Sequence, residues 1–404
     1  MRKTLYITQW FDPEPNIIKG PAFVKAIEQG GYSVDVLTGV PNYPTGSIYP
    51  GYRLRPFQRE TIQGVRVKRL PLYPSHNNSS IGRALNFFSF FMSVLAYLIL
   101  HGRKYDILYV YHPPITVGLA AALAAPFHRK PFVLEIQDLW PDTVVSSGMR
   151  GTGRLASLLH GLCNFTYARA HSIVVQARGM AERLEERGVP PEKINVIYNW
   201  ADDLAEALPA PVKAASGSGE AFTIIYAGNL GRMQSLNTVL EAARQLQSEE
   251  PRIEFVLVGD GIEKLRLQAV AQREGLANVR FVGRVPKSEV GVWLGMADAL
   301  LIHIAADPLF EITIPSKTQH YLACGRPILA GIRGEAGQIL EESGAAIVVA
   351  PEDPHALAHG ALRLARMPTE QRAGLGKAGR KHYHDTLSFD RGIAQTLQVL
   401  GTVA

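Results

Sequence analysis

The chain has 404 residues, 47% of them hydrophobic and 19% charged, with a formal net charge of +6, which excludes a disordered or low-complexity polypeptide. At that length two domains are expected rather than one core. Its two cysteines, Cys163 and Cys324, lie far apart with no CxxC pair, which argues against a disulfide framework or zinc site and fits a reducing compartment.

The N-terminal stretch "MRKTLYITQWFDPEP" enters a strand at once and lacks the apolar core and cleavage site of a signal peptide, so a cytoplasmic protein is expected. Strand-like runs follow at 4–8, 32–38, 65–69, 106–111, 132–136, 171–176 and 194–198, separated by helical stretches such as PAFVKAIEQGG and GLAAALAAPF. Apolar runs of this length, spaced by helices, read as buried strands of a parallel sheet. Lys19-Gly20-Pro21 opens the first helix and is able to face an anion there. Residues 1–200 carry 22 Lys/Arg against 13 Asp/Glu, while the remainder carries 20 against 23. A basic first half favours an anionic partner. No basic run interleaved with aromatics marks a nucleic-acid face, so nucleotide or lipid is the better expectation.

The segment "ALNFFSFFMSVLAYLIL", 84–100, is uncharged and rimmed by Arg83 and by Arg103-Lys104. Three readings stand: a buried crossover helix, an interfacial helix dipping into a bilayer, or a true span. Its aromatics crowd most of the helix circumference, more apolar surface than one sheet face covers, which favours the membrane interface. Further on, His112 ends one strand before a Pro-Pro turn and Asp138 follows another. α/β domains keep functional side chains at such strand ends, although a loop histidine satisfied by backbone and a simple turn aspartate are equally consistent.

The run "LPAPVKAASGSGE" breaks the pattern, and a linker is expected over 205–220, between a domain at 1–204 and a second at 221–385. Strand-like runs resume at 222–228, 252–259, 278–283, 297–304, 326–332 and 345–350. Two tandem Rossmann-like, doubly wound α/β domains facing across a cleft are the expected fold class. In the second half, "YAGNLGRMQSLNTVLEAA", "VGDGIEKL" and "FVGRVPKSEV" each turn at glycine from a strand towards a helix. Such turns let backbone N–H groups approach a phosphate, though each alone is also an ordinary strand-to-helix turn.

A fourth stretch, "FEITIPSKTQHYLACGRPILA" at 310–330, opens a helix with Pro-Ser-Lys and stops it at Gly325. Ser316 reads as its N-cap and Arg326 as a cation near its negative end, leaving ordinary capping or receipt of an anion as alternatives. The sequence carries no Asp-x-Asp triplet and no phosphate-loop signature, and His382 and His384, which flank Tyr383, read as solvated. A metal cofactor is therefore not expected.

With these blocks in view, the chain resembles the family 4 retaining glycosyltransferases of the GT-B fold. It is similar to the bacterial subgroup that builds O-antigen, capsule and exopolysaccharide repeat units, including N-acetyl-L-fucosamine transferases. The likeness rests on "VLTGVPNYPTGSIYPGYR", "LEIQDLWPDTVVSSGM", "IYNWADD", "YAGNLGRMQSLNTVLEAA", "LVGDG", "NVRFVGRVPKSEV" and "IPSKTQHYLACGRPILA". The resemblance implies a nucleotide-sugar, namely a UDP-sugar, as the donor substrate in the second domain. Base and ribose would lie near Gly283, Arg284, Glu311, Ser316, Gln319 and His320, and the diphosphate near Gly228, Asn229, Arg232 and Lys317. Gly20, His112 and Asp138 would face donor sugar and acceptor, with Asn199 near the crossing between domains. The last helix, about 386–401, would return to the first domain. A polyprenyl-diphosphate-linked saccharide is the implied acceptor, and the protein would attach peripherally to the inner face of the cytoplasmic membrane.

The sequence departs from the family pattern at three places. His320 stands where the ribose-holding Glu is frequent, and Ile312, beside Glu311, stands at the first Glu. Asn229 and Gln234 replace the Arg and Lys of the phosphate turn, leaving Arg232 as the displaced cation. The frequent active-site His aligns with Tyr111, one residue before His112. The rival readings are a nucleotide-sugar 2-epimerase or phosphorylase of the same architecture, which would consume donor without a lipid acceptor, and an inactive assembly subunit, which would bind neither UDP nor GDP.

Overall fold

The computed structural model describes residues 1–15, 18–75, 80–112, 115–140, 142, 153–202 and 221–403. The chain forms two compact units, 1–198 with 392–404, and 199–391. The expected linker, 205–220, lies outside the described residues.

In the first unit the described strands are β1 Arg2–Ile7, β2 Tyr32–Gly39, β3 Gln58–Ile62, β4 Val65–Leu70, β5 Ile107–His112, β6 Phe132–Ile136, β7 Ser172–Val175 and β8 Ile194–Val196. They form one sheet in the order β3-β4-β2-β1-β5-β6-β7-β8, parallel except for the β3–β4 hairpin. Each apolar run read as a buried strand is a strand, although the edge strand β8 is only partly covered. The sequence reading passed over β3, because QRETI alternates partly covered and exposed residues at the sheet edge rather than forming an apolar run. Its hairpin turns through Gln63 and Gly64, both at positive φ (50° and 89°), the two-residue geometry that matches strand twist.

The strand order reverses between β1 and β5, so the carboxyl ends of these two strands flank a topological switch point, where α/β sheets receive ligands. The helix Ser80–His101 crosses over from β4 to β5 and packs against the helix Ile115–His128. One face is sealed by Phe90, Val94 and Leu98, while Phe88 is 58% exposed and Leu100 73%. A wholly buried crossover helix is therefore not what 84–100 forms. It keeps an open apolar face.

The second unit contributes β9 Phe222–Ala227, β10 Ile253–Val258, β11 Val279–Gly283, β12 Ala299–His303, β13 Ile328–Gly331 and β14 Ala346–Val349. These are parallel throughout, in the order β11-β10-β9-β12-β13-β14, with the switch point between β9 and β12. Helices Asn237–Glu249 and Pro354–Arg366 cover one face with Val239, Leu240, Leu246, Leu357 and Leu364. Full burial of such a side chain contributes about 1.5–3 kcal/mol, which holds the strand ends in a rigid array.

Candidate functional site

In the second unit three adjacent strands, β9, β10 and β11, end on glycines at positive φ. These are Gly228 (150°), Gly259 (144°) and Gly283 (86°). The ends are stitched in series: the Gly228 N–H donates to Val258 O at 2.9 Å, and the Gly259 N–H to Gly283 O at 2.8 Å. A Cβ on Gly259 would overlap the Gly228 carbonyl, so only glycine fits that crossing. Tyr226 donates its hydroxyl to Asn229 O at 2.7 Å and the Ala227 N–H donates to Tyr321 Oη at 3.0 Å, bracing the turn from both sides. Ala227, Gly228, Asn229, Gly259, Asp260 and Arg284 take part in lining a pocket of about 370 Å³ over these ends.

Lys317 projects into this array. Its ammonium lies 4.8 Å from the Tyr226 ring centroid, and a Cβ on Gly228 would come within 2.7 Å of it. Among the described residues no hydrogen bond or ion pair meets it. Although part of the side chain remains open, protein surrounds the charged end, and burial alone pulls its pKa down to about 8. A half-sheltered cation with no anionic partner among the described residues, beside partly open glycine turns, is a place prepared for an anion.

The helix carrying Lys317, Ser316–Cys324, corrects two expectations. Pro315, not Ser316, is the residue before its first turn, so exposed Ser316 is the first helical position, with no side-chain cap. Gly325 ends it at φ 67°, as expected, but Arg326 turns away to the Gly295 carbonyl. Arg380 takes the helix's last carbonyls instead, donating to Ala323 O at 3.1 Å and Cys324 O at 3.3 Å. Gln319 is buried, and its amide, oriented by its neighbours, donates to Pro315 O and Ser316 O, so it locks the helix start from inside.

The other expected residues are placed as follows. Arg232 is 83% exposed, and its Nε stands 3.5 Å from Glu263. Arg284 is exposed at the pocket rim, and Glu311 is exposed at the end of a single helical turn, Pro308–Glu311. His320 contacts Ser316 O through Nδ1 at 2.7 Å, while its Nε2 stands 3.4 Å from the Asp202 backbone nitrogen and 3.6 Å from the Asp202 carboxylate. The Asp202 carboxylate also meets Lys287 at 3.0 Å, and hydrogen bonding from His320, then from Lys287, holds its pKa well below the usual carboxylate range. Asn199 is buried at the start of the unit.

Sequence reasoning missed Lys264, whose Nζ is 3.5 Å from Asp260 and near the open face of Gly283. The four-residue spacing within "VGDGIEKL" carried that signal. It also missed Asp202, which reaches His320 across 118 residues, a pairing no local pattern reveals.

In the first unit Gly20 is buried and caps the helix Pro21–Gln29, on the connection leaving β1. His112 ends β5 in register with Ile136 of β6, and its side chain is outside the described set. Asp138 follows two residues later. Thus Gly20, His112 and Asp138 belong to connections at the carboxyl ends of neighbouring strands β1, β5 and β6. Asp138 keeps solvent-exposed surface, yet crowding by protein around its carboxylate pushes its pKa up. Contrary to the sequence reading, Lys19 is not open to a bound anion. It is buried against Glu135 at 3.2 Å, which also accepts from Tyr109 and Gln137, and burial lowers its pKa.

Residues 22–200 match the family described as "Glycosyl transferase 4-like domain", and residues 212–382 match "Glycosyl transferases group 1". The chain belongs to the family 4 glycosyltransferases of the GT-B fold. This glycosyltransferase is 29% identical over 351 residues to WcaI of Escherichia coli K12, which bears the name colanic acid biosynthesis glycosyl transferase. That match covers 84% of this chain and 85% of WcaI. WbjE of Pseudomonas aeruginosa, named as a glycosyltransferase, is 26% identical over 270 residues, 64% of this chain and 66% of its own. Among solved structures, Anabaena HepE in complex with UDP and glucose superposes with a TM-score of 0.69 at 16% identity, covering 100% of both chains. Sucrose-phosphate synthase of Thermosynechococcus elongatus gives a TM-score of 0.73 at 17% identity, covering 100% of this chain and 99% of its own. At such identities the superpositions establish the shared fold. Among the described residues of this glycosyltransferase, no group of three or more His, Cys, Asp and Glu is placed to hold a metal ion.

Proposed function

We propose that this glycosyltransferase moves a sugar, N-acetylated or deoxy, from a UDP-sugar to a polyprenyl-diphosphate-linked saccharide, with retention at the anomeric carbon, in the making of a bacterial surface polysaccharide. The observation that carries the donor half is Lys317, an ammonium without an anionic partner among the described residues, set against the glycine-lined ends of β9 and β10. As the glycosidic bond to the donor breaks, negative charge grows on the leaving diphosphate. Lys317 and the N-terminal turn of its helix would neutralise that charge without a divalent cation, and Arg232 would swing in from solvent. Attack on the face vacated by the leaving group needs no strong protein base. Asp138, with its raised pKa, and His112 would then orient sugar and acceptor hydroxyls.

Polysaccharide assembly is supported by the names of WcaI and WbjE taken with the family, and UDP by the nucleotide held by HepE on the same fold. Peripheral attachment to the cytoplasmic membrane is supported by the open apolar face of Ser80–His101 and by the absence of acidic residues from 80–105. The test is calorimetric titration with UDP and GDP, followed by NMR of the product's anomeric configuration and an assay in excess chelator. Tight UDP binding, retention and chelator-insensitive turnover are expected. Inversion, or loss of activity on chelation, overturns the mechanism.

A further inference from the structure

Beneath the carboxy-terminal half of Ser80–His101 the first unit holds a second pocket, of about 470 Å³, closed on its other side by β4 and the β3 edge. Its walls are apolar: Phe57 stacks on Tyr97 with ring centroids 6.2 Å apart, and Leu70 and Leu100 complete them. The polar floor is satisfied. Tyr97 and Tyr105 hydroxyls meet at 3.0 Å, and Lys68 donates to Tyr105 at 2.6 Å and to Asp35 at 2.5 Å. The rim is not. Arg59 and Lys104 are exposed, and among the described residues neither forms an ion pair, while His101 Nδ1 is buried without a partner.

Charge and apolar surface run together around this opening. Arg53, Leu54, Arg55 and Phe57 are all exposed on the approach to β3, and the exposed face of Ser80–His101 continues through Met92 and Ile99 to Leu100. The pocket's cationic rim is remote from the expected chemistry, although Leu70 and Pro71 of its wall stand at the carboxyl end of β4. Tyr105 precedes β5 whereas His112 ends it, and seven residues of strand at about 3.3 Å each separate them by roughly 20 Å. A lipid seated here therefore does not present its headgroup at the carboxyl ends of the strands.

We propose that this pocket is a binding site for an anionic phospholipid of the bilayer, one acyl chain lying against Phe57, Tyr97 and Leu100 and the phosphate held between Arg59 and Lys104. The proposal rests on the reading of Ser80–His101 as a helix that lies on the membrane. Its effect is to turn a loose apolar contact into attachment with a fixed orientation and a preference for acidic membranes.

The test is cosedimentation of the full chain with three kinds of vesicle: phosphatidylcholine alone, phosphatidylcholine mixed with phosphatidylglycerol, and phosphatidylcholine doped with undecaprenyl phosphate. Stronger partition onto the phosphatidylglycerol vesicles is expected. Surface cations contribute about 1 kcal/mol each, so the double variant Arg59→Ala, Lys104→Ala is expected to lose about 30-fold there and little on neutral vesicles. Ala96→Trp, which fills the pocket from the helix side without altering charge, is expected to reproduce that loss with an unchanged melting temperature. Equal loss from Arg53→Ala, Arg55→Ala would show diffuse attraction in place of a pocket and overturn the proposal. Equal binding to neutral and acidic vesicles would overturn it while leaving membrane attachment intact. Binding to neither would end both, and binding only to undecaprenyl phosphate would assign the pocket to the acceptor instead.

Discussion

Replacing Lys317 by Met keeps the stem of the side chain and deletes its charge, and the structure dictates opposite signs for activity and stability. Moving the pKa of the ammonium from 10.5 to about 8 costs the free protein on the order of 3 kcal/mol, at about 1.4 kcal/mol per tenfold change in proton affinity. Since the folded value lies below the unfolded one, the cost is full below pH 8 and fades as pH rises from about 8 to 10.5. Lys317→Met is therefore expected to be more stable than the parent at pH 7 by up to about 3 kcal/mol, with the advantage shrinking above pH 8. In the reaction, one unit charge about 4 Å away at an effective dielectric of about 20 is worth roughly 4 kcal/mol. Loss of one such stabilising group costs about 10²–10³ in kcat. Urea denaturation at pH 7 and pH 9.5, alongside turnover of a UDP-sugar, measures both. Parental turnover in a folded Lys317→Met, or a stability lower than the parent's at pH 7, would refute the account of Lys317 as an unpaired cation awaiting the leaving diphosphate.

Gly259→Ala is expected to destabilise the second unit by more than about 3 kcal/mol and to weaken UDP binding, because its Cβ would strike the Gly228 carbonyl in a backbone conformation that L-residues rarely adopt; urea midpoints and calorimetry check it. Glu14 is buried beneath the N–H groups of Asn42, Tyr43 and Phe11, and burial raises its pKa to about 7. Its folded pKa lies above the unfolded value, so the protein is expected to lose stability as pH rises from about 4.5 to 7, and Glu14→Gln to flatten that slope in a pH series of denaturation midpoints. Asp202→Asn removes the anion shared by His320 and Lys287 and is expected to cost about 1–3 kcal/mol at pH 7, a difference that starts to shrink as pH falls below about 4, where the unfolded carboxyl protonates, and is gone only at much lower pH, where the folded carboxyl protonates too. Arg380→Ala leaves two helix carbonyls unmet and is expected to lower stability by roughly 1 kcal/mol, read from the melting temperature.

The architecture was legible in the chain because parallel strands buried on both faces are written as local apolar runs, and local runs survive without knowledge of neighbours. Each such run is a strand in the structure, and the turns at Gly228, Gly259 and Gly283 were visible because tight turns at positive φ demand glycine. The edge strand QRETI escaped because its register depends on a partner, not on its own pattern. Electrostatics followed the same division. Lys19 and Lys317 look alike in sequence, each at the start of a helix, and only tertiary structure separates them. One is neutralised by Glu135 on a neighbouring strand; the other is left beside Gly228 with no carboxylate in reach among the described residues. Propensity and hydrophobic period are short-range properties of the chain, whereas the charge state of a side chain depends on atoms brought close from distant positions, and those the fold alone supplies.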